Sequence, residues 1–179
     1  MTEVGSFWGA SGAGGGLQPV STPGTSTTRL VAAIQHSKMP DAFRPRFSPE
    51  GWQTLGSYLI PTAFERGSEL INQGERDRSV YFIESGAFHV HLLDASNTAP
   101  GMALLRAGAI VGESALFDET PRRAQVVAIS PGVVWALSRP RMDEMRASWP
   151  ELAFEVLRAS GVVMAYRMRA AIAHGAPLP

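Results

Sequence analysis

The sequence predicts a mainly β domain, an antiparallel sandwich or jelly roll with a helix before it and helices after it. Short apolar runs recur between Gly-containing turns from residue 59 to 137. One of them, 87–93, alternates, with Phe88, Val90 and Leu92 on one face and His89 and His91 on the other. Beyond Ser138 the apolar residues return at threes and fours instead. Alternation suits a half-buried strand, many short strands need a second layer to cover them, and the wider spacing is that of a helix.

Residues 1–28 are dominated by Gly, Ser, Thr and Pro and carry too little apolar surface to offset the entropy of ordering. In 29–39, Leu30, Ala33, Ile34 and Ser37 fall at helical spacing ahead of Pro40, which suits either a short docked helix or a partner-binding peptide. The first 40 residues together read as a disordered or weakly ordered tail, and 41–175 as the domain. Ser48-Pro49-Glu50 can cap and start a short helix through Tyr58. Strands follow over 59–138: 59–64, 69–71, 80–83, 87–93, 102–105, 124–129 and 133–137. Glu65-Arg66-Gly67, Asn72-Gln73-Gly74 and Glu84-Ser85-Gly86 close the first three. Helices occupy 139–174. Ser138-Arg139-Pro140 opens the first, through Ala147, and Ser148-Trp149-Pro150-Glu151 has capping-box spacing before a longer one. Its apolar stripe runs through Leu157, Gly161, Met164, Met168 and Ile172, and Gly161 marks either a bend between two helices or a close-packing point.

Composition narrows the chemistry. With 16 basic and 16 acidic residues in 179, no broad cationic surface is available to nucleic acid or to anionic lipid, so neither DNA nor membrane is expected as a partner. The absence of cysteine excludes a disulfide framework, a thiolate metal site and a cysteine nucleophile. The N-terminus lacks a cationic start followed by an apolar core, and a cytoplasmic protein is expected. His89 and His91 share a strand face, but no third ligand lies at a useful spacing, so no metal is assigned. Glu113 with Asp118 or Glu119 does not read as an acid/base pair, and no nucleophile with a nearby base is visible; the chain is not expected to be an enzyme.

The chemistry concentrates in V-G-E-S-A-L-F-D-E-T-P-R-R-A-Q-V-V, residues 111–127. Gly112 lets the backbone approach a ligand, and Glu113 supplies a carboxylate acceptor that suits a sugar hydroxyl. A helical turn beginning near Ser114 would offer free N–H groups to an anion. Arg122 returns a guanidinium shaped for two phosphate oxygens. A sugar hydroxyl beside a single phosphate charge describes a cyclic mononucleotide.

This stretch resembles the phosphate-binding cassette of cyclic-nucleotide-binding domains, in which [FV]-G-E-x-A is followed after a gap by P-R-x-A. Gly112, Glu113, Ala115, Pro121, Arg122 and Ala124 fall on that pattern, and the resemblance extends over about 43–171. It implies a β-roll with an N-terminal helix and C-terminal lid helices. It also implies a non-catalytic sensor that binds a cyclic nucleotide, cAMP in preference to cGMP. Glu113 would take the ribose 2′-hydroxyl and Arg122 the cyclic phosphate, with Gly112, Ser114, Ala115, Arg123 and Ala124 completing the cradle. Tyr166 and Arg167 on the last helix are the candidate base contacts. Arg123 departs from the family, where a small residue is usual, and stands either as a second phosphate contact or as a solvated surface arginine. Relatives that regulate transcription continue into a helix-turn-helix, so this chain is expected to export its signal to a protein partner, with homodimerisation through the C-terminal helix as a further expectation. The alternative is a ligand-independent interaction module on the same fold.

Overall fold

In the computed structural model, residues 18–19, 26–92 and 102–173 are described; the tail expected over 1–28 lies mostly outside them. The elements are β1 (Gln18–Pro19), α1 (Thr28–His36), α2 (Pro49–Tyr58), β2 (Ile60–Phe64), β3 (Glu69–Ile71), β4 (Val80–Ser85), β5 (Ala87–Leu92), β6 (Met102–Arg106), β7 (Ile110–Val111), β8 (Ala124–Ala128), β9 (Gly132–Leu137), α3 (Arg139–Ser148) and α4 (Pro150–Ala173). Two antiparallel sheets form, in the orders β1-β2-β9-β4-β7 and β3-β8-β5-β6. This is a mainly β roll with flanking helices, as the sequence predicts. Strand β7 escapes sequence reading because two residues carry no period.

The first sheet is covered on both faces, and its composition follows from that. On β4 and β9, Tyr81, Ile83, Val134 and Ala136 point into the core between the sheets, beside Phe64, Phe88 and Val126. The alternate residues Val80, Phe82, Trp135 and Leu137 point the other way, into a second core with α1, α2, α3 and α4. Phe43 meets Phe82 edge-on there, ring centroids 5.2 Å apart. A strand buried on both faces reads as an unbroken apolar run, whereas β5 alternates because only one face of the second sheet is covered. The Trp135 indole N–H reaches out of its core to Glu84 Oε2 at 2.7 Å.

Two expectations are corrected, the boundary at 41 and the capping box at Ser148, and two open alternatives, at α1 and at Gly161, are decided. Helix α1 belongs to the packed unit, with Leu30 and Ile34 buried in the helix-side core, so the fold extends N-terminal of the expected boundary at 41. Gly108, at φ 86°, makes this docking close, since a Cβ there would collide with the Ala33 carbonyl. The capping box at Ser148 does not form: α3 runs through Ser148, and the Trp149 carbonyl accepts the Ala153 N–H at 3.0 Å. The bend at Gly161 is also absent, for α4 runs unbroken past it; a Cβ there would lie 3.9 Å from Phe117 Cζ, an ordinary contact. At the start of α2 the reading holds, and Ser48 Oγ accepts from Gly51 N–H at 3.1 Å.

The docking of α1 has a measurable consequence. Leu30→Ala is expected to destabilise the chain by about 2–5 kcal/mol, the usual cost of emptying a buried leucine site. Urea unfolding monitored by tryptophan fluorescence reads it; an unchanged midpoint would show that α1 contributes nothing to the fold.

Candidate functional site

Strand β7 delivers the chain to Gly112, which adopts φ 79°, ψ 14°. A side chain there would be strained by the backbone and would also meet Arg122 Nη1 at 2.8 Å and the Ser79 carbonyl at 2.9 Å. The turn that Gly112 permits is a 3₁₀ helix, Glu113–Leu116, beginning one residue earlier than expected. Glu113 and Ala115 are buried in it and Ser114 is exposed. The Ala115 N–H donates to the Gly112 carbonyl at 3.2 Å, so that member of the expected phosphate cradle is spent inside the turn.

Arg122 is carried in from the other side of the cassette. Its backbone pairs with the loop after β3, where Arg122 N–H donates to the Glu75 carbonyl and Gly74 N–H to the Arg122 carbonyl, both at 2.8 Å. The side chain is 5% exposed. Nη1 donates to the Gly112 carbonyl at 3.1 Å, and Nη2 to Asp77 Oδ2 at 3.0 Å and to the Ser79 carbonyl. Among the described residues, the buried Nε finds no acceptor. Arg122 is therefore fixed in position by Nη1 and Nη2, with one buried donor lacking an acceptor among the described residues.

Asp77, like Asp41 at the other end of the cassette, is a residue that sequence reasoning missed. It receives the Ser79 hydroxyl at 2.9 Å, the Ser79 amide at 3.2 Å and the Tyr81 hydroxyl at 3.2 Å as well as Arg122. Burial is the largest single influence on its carboxyl and pushes the pKa up, but the Ser79 bonds and the Arg122 charge together outweigh it and hold it below the usual value. The same environment pushes the Tyr81 phenol up, through burial first and the Asp77 charge second. No local pattern around Asp77 announces this, because its partner lies 45 positions away.

At the other end of the cassette, Glu113 is likewise buried, at 7% exposure. Its Oε1 accepts from Arg167 Nη1 at 2.7 Å, while Arg167 Nε donates to Asp41 Oδ2 at 2.8 Å and Nη2 to the Ile110 carbonyl at 3.0 Å. Burial acts most strongly on this guanidinium and lowers its pKa, yet Glu113 and Asp41 more than offset it and hold the pKa above the ordinary value. Arg167, expected at the base, is thus on the carboxylate expected to meet the sugar: in this arrangement all three nitrogens have protein acceptors. Tyr166 is half-buried beside it, Arg123 is exposed, and Ala124 begins β8 opposite Leu92.

The remaining candidates are dispersed. Glu119 pairs with Arg78 at 2.8 Å and Asp118 accepts from the Thr120 hydroxyl at 3.0 Å, so neither stands beside Glu113 as an acid/base partner. The His89 and His91 rings lie 5.9 Å apart on β5, and among the described residues no group of three or more His, Cys, Asp or Glu could hold a metal ion.

Comparison with known proteins gives this geometry a family. The model for the cyclic nucleotide-binding domain matches residues 61–148. The chain is 35% identical over 96 residues to "Acetyltransferase Pat" of Mycolicibacterium smegmatis, covering 53% of this chain and 28% of that protein. It is 30% identical over 95 residues to a cAMP-dependent protein kinase regulatory subunit of Colletotrichum trifolii, covering 49% of this chain and 24% of that one. The chain thus spans about a quarter of the length of these relatives. Among solved structures, a cyclic nucleotide-binding domain from Methylobacillus flagellatus superposes with a TM-score of 0.71 at 26% identity, covering 82% of this chain and 80% of that one. The catabolite activator protein of Thermus thermophilus superposes with a TM-score of 0.63, also at 26% identity, covering 72% and 59%.

The lowered Asp77 pKa links this site to acid stability. A carboxyl whose pKa falls on folding contributes stability that is fully present above its unfolded pKa, about 3.9, and is lost as pH drops through the folded value. The difference in urea midpoint between wild type and Asp77→Asn is therefore expected to be full at neutral pH and to shrink as pH falls below about 4. A difference that is constant with pH would mean that Asp77 is not held ionised by Ser79 and Arg122.

Proposed function

Residues 61–148 belong to the cyclic nucleotide-binding family, and on that premise we propose that this chain is a non-catalytic cAMP sensor that signals through α4 to a protein partner. The observation that carries the proposal is the burial of two charged residues, Glu113 and Arg122, at either end of one cassette. Burying a carboxylate and a guanidinium costs several kcal/mol each before compensation, and a fold alone has no need of them there. A ligand with a hydroxyl and a phosphate does.

In this reading Glu113 accepts the ribose 2′-hydroxyl and Arg122 binds the cyclic phosphate through its free Nε. Gly112 and the amides near Ser114, Ala115, Arg123 and Ala124 complete the cradle once the 3₁₀ turn opens to release them. Tyr166, half-buried on α4, stands as the base contact. Preference for cAMP over cGMP rests on the similarity to regulatory subunits named for cAMP. Occupancy is converted to signal only if the two positions of α4 bind ligand unequally, by about 1.4 kcal/mol for each tenfold shift in their ratio. Phe154, Val162, Met168 and Ile172 are exposed on α4 and provide an apolar surface for the protein partner or for a second copy of the chain. The sensor is read as cytoplasmic and without a DNA or membrane partner, on the balance of 16 basic and 16 acidic residues; among the described residues no helix is long and apolar enough to cross a membrane.

A second reading has its own support. Both cassette charges already have protein partners, Asp77 and Arg167, as they would in a ligand-independent interaction module that has kept the fold.

Thermal unfolding with added nucleotide separates the two. A ligand of this site at a hundredfold excess over its dissociation constant stabilises the chain by about 2.7 kcal/mol. cAMP is expected to raise the melting temperature, cGMP to do so less, and Arg122→Ala to lose about 2–5 kcal/mol of binding free energy by calorimetry. No shift with either nucleotide would favour the interaction module.

A further inference from the structure

Asp41 lies in the segment between α1 and α2, which runs along α4. Two contacts hold that segment independently of Asp41: Arg46 N–H donates to Glu155 Oε1, and Arg158 Nη2 donates to the Arg44 carbonyl at 3.3 Å. Glu155 and Arg158 are themselves bonded at 2.6 Å. The segment thus has anchors besides Asp41, whose side chain is largely buried and directed at Arg167.

Arginine favours a bidentate grip on a carboxylate, with two parallel N–H groups on two oxygens. Arg167 does not grip Glu113 in that way. Its Nε is on Asp41, its Nη2 is on the Ile110 carbonyl, and Nη1 meets Glu113 at Oε1. We infer that Asp41 is a positioning residue of the nucleotide site: by engaging Nε, it limits Arg167 to one oxygen of Glu113 and leaves the other for the ligand's 2′-hydroxyl. The inference rests on the cyclic-nucleotide reading of Glu113. Without Asp41 the guanidinium is free to turn its Nε/Nη2 edge from the Ile110 carbonyl toward Glu113 and take both oxygens, which leaves a sugar hydroxyl only the outer lone pairs of a carboxylate already engaged at each oxygen. Affinity for the phosphate end is set elsewhere, at Arg122, so the effect of Asp41 belongs to the hydroxyl.

Calorimetric titration of the full chain with cAMP and with 2′-deoxy-cAMP reads this directly. Wild type is expected to prefer cAMP by roughly tenfold or more, the worth of a hydrogen bond to a charged acceptor. In Asp41→Ala the preference falls toward one, and in Asp41→Asn, which keeps a neutral acceptor for Nε, it falls part of the way. In an Arg167→Gln background, removing Asp41 leaves the preference where Arg167→Gln set it. A lowered melting temperature with the full preference retained in Asp41→Ala would overturn the inference and make Asp41 a docking contact only. Failure of wild type to bind either nucleotide would instead defeat the functional reading itself, and equal binding of both would defeat the role of Glu113.

Discussion

A buried charge persists only beside an opposite one, and this constraint organises the functional end of the molecule. Glu113 and Arg122 are both almost fully buried. Leaving either without a partner would cost several kcal/mol, a large part of the stability of a domain this size. Each is matched by a residue from another part of the chain: Arg122 by Asp77 in the loop before β4, Glu113 by Arg167 on α4. The cassette is held in place by these pairs as much as by its own turn. Asp41 extends the second pair to the segment ahead of α2, so one guanidinium joins three stretches of chain.

The two cores explain how α4 comes to be in reach of Glu113. The first sheet is apolar on both faces, and its outer face must be covered. α4 meets that need with Ala153, Val156, Ala159 and Val163, all buried against Phe82, Trp135 and their neighbours. Continuing about one turn past Val163 brings Arg167 to the end of the sheet where β7 and the cassette emerge. A helix recruited to cover a sheet is thereby also in contact with the cassette carboxylate, which under the proposed function would couple occupancy to helix position. Phe117, at the end of the cassette turn, stands over Gly161 on the same helix, adding an apolar contact to the ionic one.

Legibility in the sequence tracked how local each signal was. The strand 87–93 was readable because alternation is a property of neighbouring residues, and it ends at Leu92 in the fold. Strand 69–71, only three residues long, was readable because turns bracket it. Local sequence does not separate a docked α1 from a partner-binding peptide, because its two anchoring residues, Leu30 and Ile34, differ from a partner-binding stripe only in what lies opposite them. Gly161 was open for the same reason: a glycine in a helix costs little enough that packing decides whether the helix bends. The capping box at Ser148 had the right spacing but lost to the preceding helix, which incorporated Ser148 as its last residue.

The sequence by itself determined the family, the cassette and the identity of its two buried charges, because the residues proposed to cradle a phosphate and a sugar hydroxyl fall within a single stretch, 111–127. Their spacing is a local fact that survives without a fold. What the tertiary structure decided is the state of those charges. Asp77 is 45 positions from Arg122 and Arg167 is 54 from Glu113, and nothing in the chain between them sets those separations. Sixteen acidic and sixteen basic residues offer many alternative pairings, and only the packing of loop and helix against the sheet selects these. Coulomb attraction and desolvation act through space, so a counter-charge is chosen by distance and burial, neither of which is written in the order of residues.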